Sequence, residues 1–326
     1  TGFVGKWHLD GGPRLPGYVP PGPRRQGFEF WAANECNHRH FDTQYFRDSP
    51  EPIPIRGFEP EAWMDLGIEF LRGAREDKRP WFLTVQVGPP HDPYKAPPEY
   101  GRLYDPAKLT MRPNWRPGPK GPDREGIAEY YGMCTAVDEQ VGRILRALEE
   151  LKLADDTIVL FSSDHGDMLG SQGERLKRKP WEESIQVPGI LRWPGRVAAG
   201  KQAETIFTHV DFAPTLLGLC GIAPPGEMQG LDLSAVLTSG KGTAPDAAFL
   251  QIFGPYHGDG TYHAWRGIRT ARYTYARTEK GPWVLYDNAQ DPYQLRNLAE
   301  ERSAKALLAE MERQVAGWMS RTGDSW

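Results

Sequence analysis

The sequence predicts an α/β fold with a mixed, mostly parallel central sheet flanked by helices, followed by a small C-terminal α+β subdomain. Three observations predict it. Amphipathic helical segments alternate with short apolar strand segments through most of the chain. Those strand segments run into loops carrying Gly, Pro, Asp and His, as the ends of strands in open parallel sheets do. Past the Thr238–Ala248 stretch the pattern changes to short strands and one terminal helix.

Taken in order, the chain up to about Pro60 is rich in Pro, Gly and aromatics and reads as long loops laid over a scaffold. Over Pro60–Arg75, residues Trp63, Leu66, Ile68, Phe70 and Leu71 recur at near-helical spacing. Trp81–Val87 reads as a strand that ends in the loop Gly88-Pro89-Pro90-His91-Asp92-Pro93-Tyr94. Glu125–Leu151 is a long amphipathic helix, with Val137, Val141, Ile144, Leu145 and Leu148 on one stripe. Thr157–Phe161 is a β-branched apolar strand expected to be buried on both faces, and it leads into Ser162-Ser163-Asp164-His165-Gly166. A third strand is expected over Ile185–Trp193 and a third helix over Val210–Cys220. Composition shifts at Pro224-Pro225-Gly226 and across Thr238–Ala248. Hairpin-connected strands around Trp265–Thr270, Tyr273–Arg277 and Trp283–Tyr286 precede a helix from about Ser303 to Ser320. The expected division is a larger domain over 1–235 and a subdomain over 236–326.

At 326 residues, 39% hydrophobic and 25% charged, the chain has ample material for a core. A net charge of -4 argues against a nucleic-acid or anionic-membrane partner. No apolar run approaches the roughly 20 residues that span a bilayer, so no transmembrane segment is expected. Cys36, Cys134 and Cys220 have neither disulfide nor zinc spacing and read as small buried hydrophobes.

Four groups could carry chemistry. Asp164 and His165 follow a strand's C-terminal end and offer an oxygen and a nitrogen ligand, with Gly166 permitting a sharp turn. Two ligands cannot complete a divalent site by themselves. In an extended Gly5-Lys6-Trp7-His8-Leu9, Lys6 and His8 share one side and Trp7 packs on the other. A cation beside an imidazole suits an anionic substrate, although a solvated lysine and a structural histidine give the same letters. His91 stands in a loop stiffened by Pro89, Pro90 and Pro93. The cluster Glu174-Arg175-Leu176-Lys177-Arg178-Lys179-Pro180 is a solvated face or a source of charge for an oxyanion.

In combination these segments resemble the sulfatases of the alkaline phosphatase superfamily. The likeness runs through Gly5-Lys6-Trp7-His8-Leu9, Pro89-Pro90-His91-Asp92-Pro93-Tyr94 and Tyr130-Tyr131-Gly132-Met133. It continues through Ser163-Asp164-His165-Gly166-Asp167-Met168-Leu169-Gly170, Lys177, Pro180-Trp181-Glu182-Glu183, Arg266-Gly267-Ile268-Arg269-Thr270 and Leu285-Tyr286-Asp287. The resemblance implies that Asp164 and His165 are metal ligands, to calcium, with manganese or zinc as alternatives. It implies that Lys6 and His8 contact the nucleophile and the sulfate, and that His91 and Lys177 bind sulfate oxygens and assist the leaving group. Lys177 is preferred over Lys179 because it stands three residues before Pro180. Gln172, where relatives often have His, is given no role, and the Trp31–Tyr45 loop, with His38 and His40, is a candidate lining for the specificity pocket with no role assigned to either histidine.

The family's nucleophile is a formylglycine made from Cys or Ser in a Cys-x-Pro-Ser-Arg type motif, and none of the three cysteines stands in one. That motif belongs upstream of Gly5-Lys6, so the chain is expected to be an N-terminally truncated fragment. It would be inactive alone and would depend on a formylglycine-generating maturation system in its full-length form. The implied substrate is a sulfate-ester small molecule or sulfated saccharide. The alternatives are a phosphonate or phosphodiester hydrolase of the same superfamily, which also favours Asp-His, and a non-catalytic protein that binds sulfated glycans. The sequence assigns no localisation.

Overall fold

A computed structural model of the chain describes residues 1–10, 17–118, 121–254 and 263–326. It divides into two compact units, residues 1–110 with 122–157 and residues 111–121 with 158–326.

The first unit is built on a three-stranded parallel sheet. Strand β1 (Gly2–Lys6) lies between β2 (Phe30–Asn34) and, introduced below, a third parallel strand. The register pairs Phe3 with Trp31, Val4 with Ala32 and Lys6 with Asn34. β3 (Phe41–Tyr45) and β4 (Ile53–Phe58) form an antiparallel pair that leads into α1 (Glu59–Asp77). β5 (Leu83–Gln86) closes the parallel sheet on the other side of β1, pairing Val4 with Val85 and Gly5 with Gln86. A short α2 (Pro98–Gly101) precedes α3 (Arg124–Glu150), whose Asp123 side chain caps the helix by accepting the Gly126 N–H. The loop reading of the first sixty residues is corrected here, since four strands lie in it.

β1 is buried on both faces, so it shows none of the alternation that marks a half-exposed strand. On one face Val4 and Ala32 join Ile55, Trp63 and Leu66, the last two from α1. On the other, Phe3, Trp7, Trp31, Val19 and Ala33 pack with Phe28. The rings of Phe3 and Trp31 stack at 5.3 Å, and Trp7 meets Trp31 edge-on at 5.1 Å.

The second unit opens with β6 (Val159–Ser162). After α4 (Glu182–Ile185) the chain returns as β7 (Gly189–Arg192), which pairs with β6 antiparallel. The expected third strand therefore exists, but outside the parallel set. β6 is half-buried along its length, not enclosed on both faces. α5 (His209–Leu219) starts from a capping box in which Asp211 accepts the Thr208 N–H at 2.9 Å. α6 (Ser234–Ser239) follows, then the antiparallel strands β8 (Ala247–Ile252), β9 (Trp265–Thr270), β10 (Tyr273–Thr278) and β11 (Gly281–Asp287) in the order β11-β10-β9-β8. The terminal helix α7 (Lys305–Thr322) lays Met311 and Val315 against Ile268, Tyr275 and Leu285 on one face of that sheet. Trp181 packs with Trp265, Ala276, Val284 and Tyr286 on the other.

Among the described residues no helix is long and apolar enough to cross a membrane. Cys36 is buried as expected, but Cys134 and Cys220 are exposed.

Candidate active site

In the first unit the chemistry gathers where the three parallel strands end. Lys6 is the last residue of β1, His38 lies just past the end of β2, and His91 lies just past β5. Lys6 Nζ is 3.4 Å from His38 Nε2. The His38 and His91 rings stack with centroids 4.7 Å apart and planes 27° apart. Three groups able to carry positive charge thus meet at one sheet edge, where open α/β sheets bind ligands.

Glycines allow that approach. Gly5 has φ 109°, and a Cβ on it would come 1.9 Å from the Gln86 carbonyl oxygen, so only glycine lets β1 deliver Lys6 beside β5. The His91 imidazole has a fixed tautomer. Its Nδ1 lies 2.8 Å from the Asp92 carbonyl oxygen and 2.8 Å from an Asp92 carboxylate oxygen, both acceptors, so the hydrogen sits on Nδ1. Nε2 is then the atom at which a proton is gained or lost.

His8 behaves differently from the expected alternation. The strand ends at Lys6, and His8 has φ 56°, so the alternation that would put it on the Lys6 side does not extend to it. It is exposed, and its N–H donates to the Glu35 carbonyl at 2.6 Å. The Glu35 side chain is buried beneath this segment and accepts the Asp10 N–H at 3.2 Å. Burial, assisted by the nearby Asp10 charge, raises its pKa above the ordinary carboxylate value.

In the second unit Asp164 and His165 follow β6. His165 Nδ1 faces the Gly166 carbonyl at 2.8 Å and therefore carries the hydrogen, leaving the Nε2 lone pair as the one able to ligate. That Nε2 stands 3.3 Å from Asp164 Oδ2, the separation of two atoms that share one metal through bonds of about 2.0–2.5 Å. The carbonyl behind Nδ1 fixes the ring as a metal-bound imidazole requires. The donor pair therefore fits a divalent cation as part of a ligand set. Among the described residues no group of three or more His, Cys, Asp or Glu stands together as a complete one. His209, at the start of α5, lies with Nε2 2.7 Å from the Ser163 carbonyl and steadies this turn. Gly166 serves by close approach instead of by an unusual turn angle, because a Cβ there would sit 2.0 Å from the Glu183 carbonyl oxygen.

Lys177 rides on a loop with left-handed residues on both sides, Leu176 at φ 57° and Arg178 at φ 70°. Such angles cost a non-glycine residue about 1–3 kcal/mol and persist only where the surroundings enforce them. Here the surroundings are explicit. Asp167 Oδ1 accepts the N–H groups of Leu169 and Leu176 at 3.0 and 3.1 Å, and the Trp265 indole donates to the Arg178 carbonyl at 3.1 Å. Downstream, Glu182 accepts two hydrogen bonds from Arg269, at 2.9 and 3.0 Å, and one from Thr274 at 3.0 Å. The Pro180-Trp181-Glu182 segment is thus an anchor on the C-terminal sheet. Lys179 is committed elsewhere, buried with Nζ 3.2 Å from Glu174, whereas Lys177 is half-buried. The Gln172 side chain donates to the Gln294 carbonyl at 2.8 Å, a structural use.

The sulfatase family model matches residues 1–222, and the model for the C-terminal part of N-sulphoglucosamine sulphohydrolase matches residues 170–320. This chain belongs to the sulfatase family.

Among curated sulfatases, the ulvan-active sulfatase of Formosa agariphila is 35% identical over all of this chain. The chain spans 64% of the length of that relative. An endo-4-O-sulfatase of Bacteroides thetaiotaomicron is 29% identical over 99% of the chain and 71% of its own length. A sulfatase-family crystal structure from Bacteroides fragilis superposes with a TM-score of 0.88 at 31% identity, covering 99% of this chain and 75% of that one. The fold is accordingly that of the alkaline phosphatase superfamily. At this sheet edge of the sulfatase-family chain stands His38, which the sequence by itself leaves without a role. Its partner Lys6 is 32 positions away, so no local motif marks it.

Proposed function

We propose that this chain supplies the anion-binding and leaving-group machinery of an enzyme that hydrolyses sulfate esters. The observation that carries this reading is the meeting of Lys6, His38 and His91 at the C-terminal edge of a parallel sheet in a sulfatase-family chain. Three groups able to carry positive charge can oppose the charge of a tetrahedral oxyanion, and they strengthen their hold as charge builds in the transition state.

Lys6 holds a sulfate oxygen. His91, with its hydrogen kept on Nδ1 by Asp92, uses Nε2 to pass a proton to the bridging oxygen as the S–O bond breaks. Lys177, on a loop flanked by the left-handed residues Leu176 and Arg178, opposes the charge on the departing alkoxide. His8 takes up the proton released when the enzyme is regenerated. Asp164 and His165 contribute two ligands to a divalent cation, which sulfatases generally use, and which we assign as calcium, with manganese or zinc as alternatives. When bound, that cation together with a formylglycine from outside these 326 residues supplies the attacking oxygen. A formylglycine-generating system would mature the full-length protein. The substrate class we assign is a sulfated saccharide, supported by the ulvan-active relative and by the N-sulphoglucosamine sulphohydrolase match. An Asp-His pair also suits phosphonate-ester chemistry with a softer metal.

The test is steady-state turnover by the full-length enzyme, matured by a formylglycine-generating system, on an aryl sulfate and on its phosphonate-ester counterpart. Sulfate turnover should dominate and should fall at least about a hundredfold in His91→Ala. No sulfate turnover above that variant, or a preference for the phosphonate, would overturn the reading.

A further inference from the structure

Beneath the His91 loop lies a polar network that the steps above do not use. Glu59, the first residue of α1, and His40 are each 3% exposed. Glu59 Oε1 accepts the Gly88 N–H at 3.1 Å and lies 3.3 Å from His40 Nδ1. The other carboxylate oxygen lies 3.4 Å from Asn37 Nδ2, which also donates to Thr43 Oγ1 at 2.6 Å. On its far side His40 Nε2 sits 2.6 Å from the main-chain carbonyl oxygen of His91.

The hydrogen positions follow from what each atom can do. A carbonyl oxygen only accepts, so His40 Nε2 carries a hydrogen. Nδ1 faces a carboxylate oxygen, and two lone pairs would repel there, so a further proton lies between Nδ1 and Glu59 Oε1. The pair is then neutral as a whole, which is how a buried acid and a buried imidazole can coexist. The network also has no slack. A Cβ on Gly88 would come 2.3 Å from Glu59 Oε1 and 3.1 Å from His40 Nδ1.

We propose that Glu59 and His40 are positioning residues for His91: the carboxylate orients the His40 ring, whose Nε2–H holds the His91 carbonyl and so fixes where the His91 imidazole meets Lys6 and His38. Glu59 grips the same loop a second time through the Gly88 N–H, three residues upstream. Neither residue touches the substrate. The proposal rests on the sulfatase reading for the meaning of His91, but the mechanical link is a property of this unit alone.

The test uses His40→Leu, His40→Gln and Glu59→Gln, with two readouts. The first is kcat/KM on an aryl sulfate in the matured full-length enzyme. The second is the ring 15N spectrum of His91 and His38 in the folded chain, which needs no activity. His40→Leu fills the space but cannot donate, and it should lower kcat/KM by about ten- to a hundredfold while shifting both rings' signals. His40→Gln keeps an N–H that can reach the carbonyl and should recover most of that loss at a similar thermal midpoint. Equal activity in the Leu and Gln variants, or unmoved His91 signals in folded His40→Leu, overturns the proposal. If His40→Leu does not fold, Glu59→Gln decides. Its amide cannot serve Gly88, His40 and Asn37 together, so His91 signals unchanged from wild type would refute the link. A wild type inactive on sulfate esters refutes the proposed function, while the ring spectra still decide the positioning role.

Discussion

Replacing Gly5 by alanine should do far more damage than replacing Gly27, although both glycines have positive φ, 109° and 89°. At Gly27 an added Cβ meets nothing within 4 Å, so the cost is the backbone angle alone, about 1–2 kcal/mol. At Gly5 the Cβ would stand 1.9 Å from the Gln86 carbonyl oxygen, against an ordinary carbon–oxygen contact of about 3.3 Å. The sheet must open by more than an ångström between β1 and β5 to relieve this. One or two ladder hydrogen bonds, at about 0.5–1.5 kcal/mol each, are then lost with the packing around Val4. With the backbone cost these terms reach about 1.5–5 kcal/mol before the packing loss is added, a large part of the 5–15 kcal/mol that typical domains possess. Urea unfolding followed by tryptophan fluorescence should show a midpoint about 2 M lower for Gly5→Ala than for wild type, and a drop of less than about 1 M for Gly27→Ala. Sulfate binding at low denaturant should weaken only in the former, because Lys6 is the next residue. Equal midpoints for the two variants would refute the close-approach argument.

Other consequences can be checked in the same preparations. Glu35 keeps its proton more tightly in the folded chain than in the unfolded one, so its contribution to stability is fully present below 4.5, its ordinary value, and is lost as pH rises through the raised folded value. Glu35→Gln should therefore melt higher than wild type at pH 7, with the advantage gone near pH 4; a constant difference across that range would contradict the sign. Gly166→Ala pushes against the Glu183 carbonyl and should weaken calcium binding in the full-length enzyme about tenfold or more, read by calorimetry, and an unchanged affinity would speak against Asp164 and His165 as ligands. Lys177→Ala should cut kcat/KM by about a hundredfold with little change in melting. Lys179→Ala should do the reverse, losing roughly 2 kcal/mol of stability by removing the buried end of the Lys179–Glu174 ion pair, and an exchange of those two phenotypes would assign the lysines wrongly.

How much of this was readable from the letters depends on where each residue's partners lie. The helix expected over Pro60–Arg75 is α1, Glu59–Asp77, and the one expected over Glu125–Leu151 is α3, Arg124–Glu150, because amphipathic periodicity is local. The three C-terminal strands are likewise where hairpin alternation puts them. β1 and β2 escaped notice because both faces are covered. Their Gly2, Gly5, Ala32 and Ala33 are dictated by neighbouring strands and side chains, not by any period along the chain. β8 has no counterpart among the strands expected from the sequence, since Ala247–Ile252 makes sense as a strand only against β9. The same holds at the site. Lys6, His91, Asp164 and His165 stand in motifs, but His38 and the Glu59–His40 pair acquire meaning only when β1, β2 and β5 are brought side by side.

The central proposal is that Lys6 and His91, which meet through His38 at one sheet edge, act on one sulfate group. A double-mutant cycle of Lys6→Ala and His91→Ala, in kcat/KM of the matured full-length enzyme on one aryl sulfate, measures it directly. The account predicts that the double variant is far less impaired than the product of the two single losses. Losses that multiply in full would mean the two residues serve separate ends.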